Sequence, residues 1–193
     1  ELFFAFTIDL ESTNINYKNI LNNNIHIDSD FLITNSIVEF CARLFNIAVF
    51  LYFEKDIKEL DNFKIEFKKM TIKEKKFSIL QSNKILNYFD LSYMDLLEVK
   101  NETQLRKKYN DETDLLTYFI ITSIMFVHYQ RILQWINFEQ NEFFNIKKGE
   151  RELVIFTHYI AHCSKDVKTI KAVESSPVID NMNKGIKYCY HRI

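Results

Sequence analysis

The sequence predicts an α/β chain, with strands early and helices dominating later, and three observations carry that prediction. Leu2–Leu10 is a continuous apolar run of β-formers closed by a polar Ser-Thr-Asn cluster, as expected of a strand buried on both faces. The stretch 37–53, IVEFCARLFNIAVFLYF, is rich in Val, Ile, Phe and Tyr and reads as one or two strands, although helix spacing also fits its first half. Leu115–Ile136 carries no helix breaker and follows Asp114, a residue suited to cap a helix start, so Asp111–Phe138 is the strongest helical signal.

The remaining elements follow from periodicity. Lys64–Phe67 with its neighbours reads as a further strand, and Ser82–Leu97 as an amphipathic helix with apolar residues at Ile85, Leu86, Phe89, Tyr93 and Leu96 or Leu97. Asn101–Tyr109 reads as the start of another helix. Gly149 marks a turn, Arg151–Ile160 a strand, Ser175-Ser176-Pro177 a break, and Asn183–Ile193 a final helix. No repeat period or long linker divides the chain.

Composition bounds the function. The 193 residues are 47% hydrophobic and 26% charged, enough apolar surface for a core and far from the disordered class. Twenty-five basic against 26 acidic residues leave a net charge of −1, so any nucleic-acid site must be local. Two glycines and one proline would suit an all-helical chain, yet an AT-rich coding sequence produces the same bias, and it is not taken as a fold signal. With only Gly149 and Gly185, a P-loop or dinucleotide fingerprint is excluded. Three cysteines without CxxC spacing fit a reducing compartment, so an intracellular location in cytoplasm or nucleus is expected. No segment reads as a membrane span or signal peptide, and an opening Glu1 reads as a trimmed N-terminus.

Two groups of residues are candidates for chemistry. Asp9 and Glu11 form a DxE at the end of the first strand, where two carboxylates on one side suit hard divalent cations such as Mg²⁺. His158, His162, Cys163, Cys189 and His191 are a weaker metal candidate, since closed zinc sites show tighter paired spacing. Cys163 beside His162 lacks a third orienting group and reads as a structural cysteine.

Several segments resemble, in order, the poly(A)-specific ribonuclease (PARN) type of deadenylase and its relatives that trim small RNAs. Phe3–Thr13, FFAFTIDLEST, is similar to the strand that presents the family's first two acids. Val38–Phe45, VEFCARLF, resembles a later strand. Phe77–Tyr93, FSILQSNKILNYFDLSY, resembles the block that follows it, with Gln81, Ser82, Leu86, Phe89 and Asp90 in place. Glu102–Tyr109 and Pro177–Ile193 complete the series.

The resemblance implies an RNase H-like (DEDD exonuclease) mixed sheet with helices and a helix-rich insertion. Residues 1–110 would form the first part of the nuclease domain, 111–169 the insertion, and 170–193 the return. It implies Mg²⁺-dependent removal of nucleotides from the 3′ end of poly(A) or small RNA, with Asp9 and Glu11 as catalytic and metal-binding acids, and a homodimer or a protein partner. The position of the third acid falls on Gly185, with Asp180 as a displaced carboxylate nearby, and no counterpart of the fourth acid and its His occurs up to Ile193. The expectation is therefore an incomplete or catalytically degenerate exoribonuclease domain. The alternative is a non-catalytic helical adaptor in an RNA-processing complex, docking its partner through the Leu115–Ile136 helix.

Overall fold

The computed structural model describes residues 16–25, 32–98, 109, 114–140 and 150–176. Eight helices are found among them: α1 (Asn16–Asn22), α2 (Ile33–Val49), α3 (Leu60–Tyr88), α4 (Tyr93–Leu97), α5 (Leu116–Val127), α6 (Tyr129–Gln140), α7 (Glu150–Ser164) and α8 (Val167–Glu174). There is no strand among the described residues, and the expected RNase H-like mixed sheet is overturned there.

The segment expected as strands from 37 to 53 is the body of α2, continued by a π-helical turn, Phe50–Glu54. Ile33, Ile37, Phe40, Cys41, Leu44, Ile47 and Leu51 recur at three- and four-residue intervals and are all buried, so packing along one helical face outweighs the β preference of the side chains. Lys64–Phe67 lies inside α3 and Arg151–Ile160 inside α7, both likewise helical rather than extended. The Leu2–Leu10 strand and the Asn183–Ile193 helix fall outside the described residues.

α5 is the hub. Leu116, Phe119, Ile120, Ile121, Ile124, Met125, Phe126 and Val127 are all buried, and so are Thr117, Thr122 and Ser123, with Tyr118 half-buried, which makes this helix apolar and covered on nearly every side. The three hydroxyls are no liability: Thr122 and Ser123 donate to the backbone carbonyls of Thr117 and Ile120, and Thr117 donates to the Asp114 carboxylate. Asp114 precedes the helix with a left-handed φ of 58°, and its carboxylate also accepts from Asn35 Nδ2 at 2.7 Å, tying the start of α5 to α2. Around α5 pack α2, α3, α7 and α8. The expected helix over Asp111–Phe138 is thus present but broken at His128, where α5 ends and α6 begins.

α3 is 29 residues long, about 44 Å. It contains no Gly or Pro, and the Glu59 carboxylate caps its start by accepting from the backbone N–H groups of Asp61 and Asn62. Its end is a Schellman closure: Leu91 N–H donates to Leu86 C=O and Asp90 N–H to Asn87 C=O, with Asp90 left-handed at φ 52°. The chain then restarts at α4 through a capping box in which Ser92 and Asp95 exchange hydrogen bonds. The amphipathic helix expected over Ser82–Leu97 is therefore the last turns of α3, a sharp turn, and α4.

Candidate functional site

The residues expected to carry metal chemistry, Asp9 and Glu11, lie outside the described residues, as do Gly185, Asp180, Cys189 and His191. His158 and His162 share a face of α7 as their spacing predicts, but both are exposed. Among the described residues, no group of three or more His, Cys, Asp or Glu is gathered in a way that could hold a metal ion. Cys163 is buried and its thiol is raised above the ordinary range, chiefly by desolvation; burial pushes the Cys41 thiol up to about 12. Neither is a ready thiolate nucleophile.

Two polar networks inside the bundle went unread in the sequence. In the first, Arg43 of α2 donates from Nε to Glu39 Oε1 at 2.6 Å, and from Nη1 to Ser78 Oγ at 2.8 Å and to Glu74 Oε1 at 3.4 Å. The side chains of Arg43, Glu39 and Glu74 are 3%, 9% and 0% exposed, and the guanidinium carbon lies 5.9 Å from the Phe126 ring centroid. With so little solvent access, this cluster is closed to solvent. It fixes one register of α2 against α3, because sliding either helix would strand a buried charge.

The second network joins the end of α5 to α7 and α8. Thr169 donates its hydroxyl proton to Cys163 C=O at 2.8 Å, so the 2.8 Å contact between Thr169 Oγ1 and His128 Nε2 requires the imidazole to donate. That places the proton on Nε2 and leaves Nδ1 a buried lone pair without a hydrogen-bond partner. The His128 imidazole is held below its usual pKa, first by burial. Asp166 opposes the shift, while Lys168, Arg131 and Lys75 add to it. Next to this hub, the Tyr93 hydroxyl donates to Ser164 C=O at 2.9 Å and anchors α4 on the end of α7. The hub is a neutral clamp for α8 rather than an acid–base pair facing a cleft.

One unexplained surface is the first half of α3. Ile65, Ile72, Ile79 and Leu86 form one row at seven-residue spacing, yet Ile65 and Ile72 are 53% and 42% exposed while Ile79 and Leu86 are 5% and 2%. α8 packs on α3, and Asn83 Nδ2 donates to Val173 C=O at 2.9 Å, which fixes where its C-terminal end lies on the second half. The uncovered half, Lys64–Lys76, carries six lysines against two glutamates; Glu74 is turned inward to Arg43, and Glu66 pairs with Lys69 at 2.6 Å. The sequence contained this signal as isoleucines seven apart among lysines, and assigning a strand to Lys64–Phe67 hid it.

Comparison with known proteins adds no relative: no family model, no curated protein and no solved structure matches the chain.

Proposed function

We propose that this chain is a non-catalytic helical adaptor, a bundle that presents one side of α3 to a protein partner. The observation that carries this reading is the heptad row of α3, apolar along its whole length but covered among the described residues only over its second half. A row of apolar residues left in water along one helix face has the spacing that an amphipathic helix of a partner would read. The buried polar groups of the described bundle support the same reading, because Arg43, Glu39, Glu74, His128 and Thr169 all bond between or along helices and none faces an open cleft. The exonuclease expectation required a mixed sheet to aim its acids, and the described residues supply helices instead.

The test is a cleavage assay. A 5′-labelled oligo(A) RNA incubated with the protein and Mg²⁺ or Mn²⁺ is expected to stay full length, and either cation is expected to leave the thermal midpoint unmoved. Shortening from the 3′ end that disappears in Asp9→Ala would overturn the adaptor reading and restore the nuclease.

A further inference from the structure

We infer that the exposed face of α3 from Lys64 to Lys76 is the docking surface for an acidic amphipathic helix of a partner protein, laid on α3 in line with α8. The inference rests on the adaptor reading and specifies its partner.

Continuity with an existing interface is the first argument. α8 already lies on α3, with Val173 at Asn83, and Lys168 at its other end is close enough to Lys75 for the two ammonium groups to repel. The two helices therefore run in the same direction, and α8 begins where the exposed half of α3 ends. Val167, the first residue of α8, is 61% exposed. A helix that continued the line of α8 would cover Ile72 and Ile65 as α8 covers the second half.

Charge selects the occupant. Counting Ile65 and Ile72 as the a positions of a heptad puts Lys68 and Lys75 at d, Lys69 and Lys76 at e, and Lys64 at g; Lys64 and Lys69 already pair with Asp61 and Glu66, so Lys68, Lys75 and Lys76 carry the charge argument. Burial first, and then the neighbouring charges of Lys168 and Lys76, hold the Lys75 ammonium below its ordinary pKa. A partner helix with Glu or Asp beside its apolar residues would neutralise this ladder.

The competing occupants fit less well. A second copy of the chain meeting the face isologously would set lysine against lysine. A lipid surface would find only a narrow apolar line, the seam of a helix pair rather than a broad insertion face. An RNA strand would find lysines but no aromatic side chain on this face to stack a base.

The experiment is fluorescence anisotropy with a labelled peptide of about 20 residues, long enough to follow the exposed half of α3. It carries Leu at heptad a and d and Glu at e and g. Saturable binding is expected, weakened by added salt and by at least about tenfold in Ile72→Glu and in the double variant Lys68→Glu with Lys76→Glu. Ile155→Glu, an exposed position on α7, should leave binding unchanged, and a peptide with Lys in place of Glu should not bind. All three altered positions of α3 are exposed, so unchanged thermal midpoints will show that the variants fold.

Absence of saturable binding, or binding indifferent to Ile72→Glu, overturns the inference. So does a dimer in sedimentation velocity that Ile72→Glu splits, or binding to phosphatidylserine vesicles or to oligo(A) RNA that the same variant abolishes. If the peptide fails while the RNA stays uncut, the docking inference falls and the adaptor reading stands. If the RNA is cut in an Asp9-dependent way, the adaptor reading itself falls.

Discussion

The two halves of α3 share one helix and one apolar row, but they live in different solvents. In the second half, Ile79 and Leu86 are dry, Asn83 is bonded to α8, and the helix ends in a closed Schellman turn. In the first half, Ile65 and Ile72 face water between lysines, with surface ion pairs such as Lys64 to Asp61 at 3.2 Å. Helix formation needs only the uninterrupted run and the Glu59 cap. Stability is a property of the cover: the first half of α3 still packs its opposite face on the core through Phe63, Phe67, Met70 and Thr71, so the helix is anchored while the isoleucine row stays wet.

The sharpest way to test this contrast is at its boundary, where Glu74 turns inward. Arg43→Met leaves Glu39 and Glu74 buried without their cation and is expected to cost about 3–5 kcal/mol in chemical denaturation. Combining Arg43→Met with Glu39→Leu and Glu74→Leu should recover most of that loss, and no recovery would show that the cluster contributes more than pairing. Next comes the row itself: Leu86→Ala should cost about 2–5 kcal/mol, whereas Ile65→Ala should stay within about 0.5 kcal/mol. Equal losses at the two positions would mean that the first half is already covered.

Thr169→Val removes the hydroxyl that links His128 to Cys163 C=O. It strands a donor and an acceptor, for an expected loss of about 1–3 kcal/mol, read in the same denaturation experiment. The pH dependence is smaller. His128 titrates below its unfolded value in the native state, so the unfolded chain binds the extra proton first as pH falls. The stability from this group is complete above pH 6.5 and is lost as the pH drops below 6.5 through the folded-state value, by at most about 1.4 kcal/mol per pH unit. Denaturation at successive pH values should show this slope, and His128→Gln should remove it. The smallest effect is expected at Lys75→Met, which relieves the repulsion from Lys168 and Lys76 and should stabilise by a few tenths of a kcal/mol at low salt. The gain should vanish at high salt; a loss at low salt would mean that Lys75 is held by an attraction.

The fold was legible in the sequence where packing and periodicity agree. Residues 115–136 have no breaker, Asp114 stands at the start, and the structure has helices on both sides of His128. It was illegible where β-branched and aromatic side chains line a buried helix, as in Ile37–Phe53 and Arg151–Ile160, because such side chains suit a strand equally well and only the surrounding helices decide. The scarcity of Gly and Pro, set aside as codon bias, agreed with the helices that the described residues form. Of the candidate site, Asp9 and Glu11 lie outside the described residues. Glu39 and Arg43 were visible only as interruptions of an apolar run, though their four-residue spacing already allowed a pair on one helix face. Nothing local pointed to Glu74 as their third member or joined His128 to Thr169, since these contacts span 31 and 41 residues.

The burial of α5 on nearly every side has a consequence for how the chain is made. Two of its packing neighbours, α2 and α3, leave the ribosome before it, and two, α7 and α8, leave after it. Until α8 has emerged, a nascent chain holds Leu116–Val127 with one flank wet, a stretch apolar enough to attract chaperones or a neighbouring nascent chain. Synthesis paused between Val127 and Glu174 is therefore the step at which this protein is most exposed to aggregation.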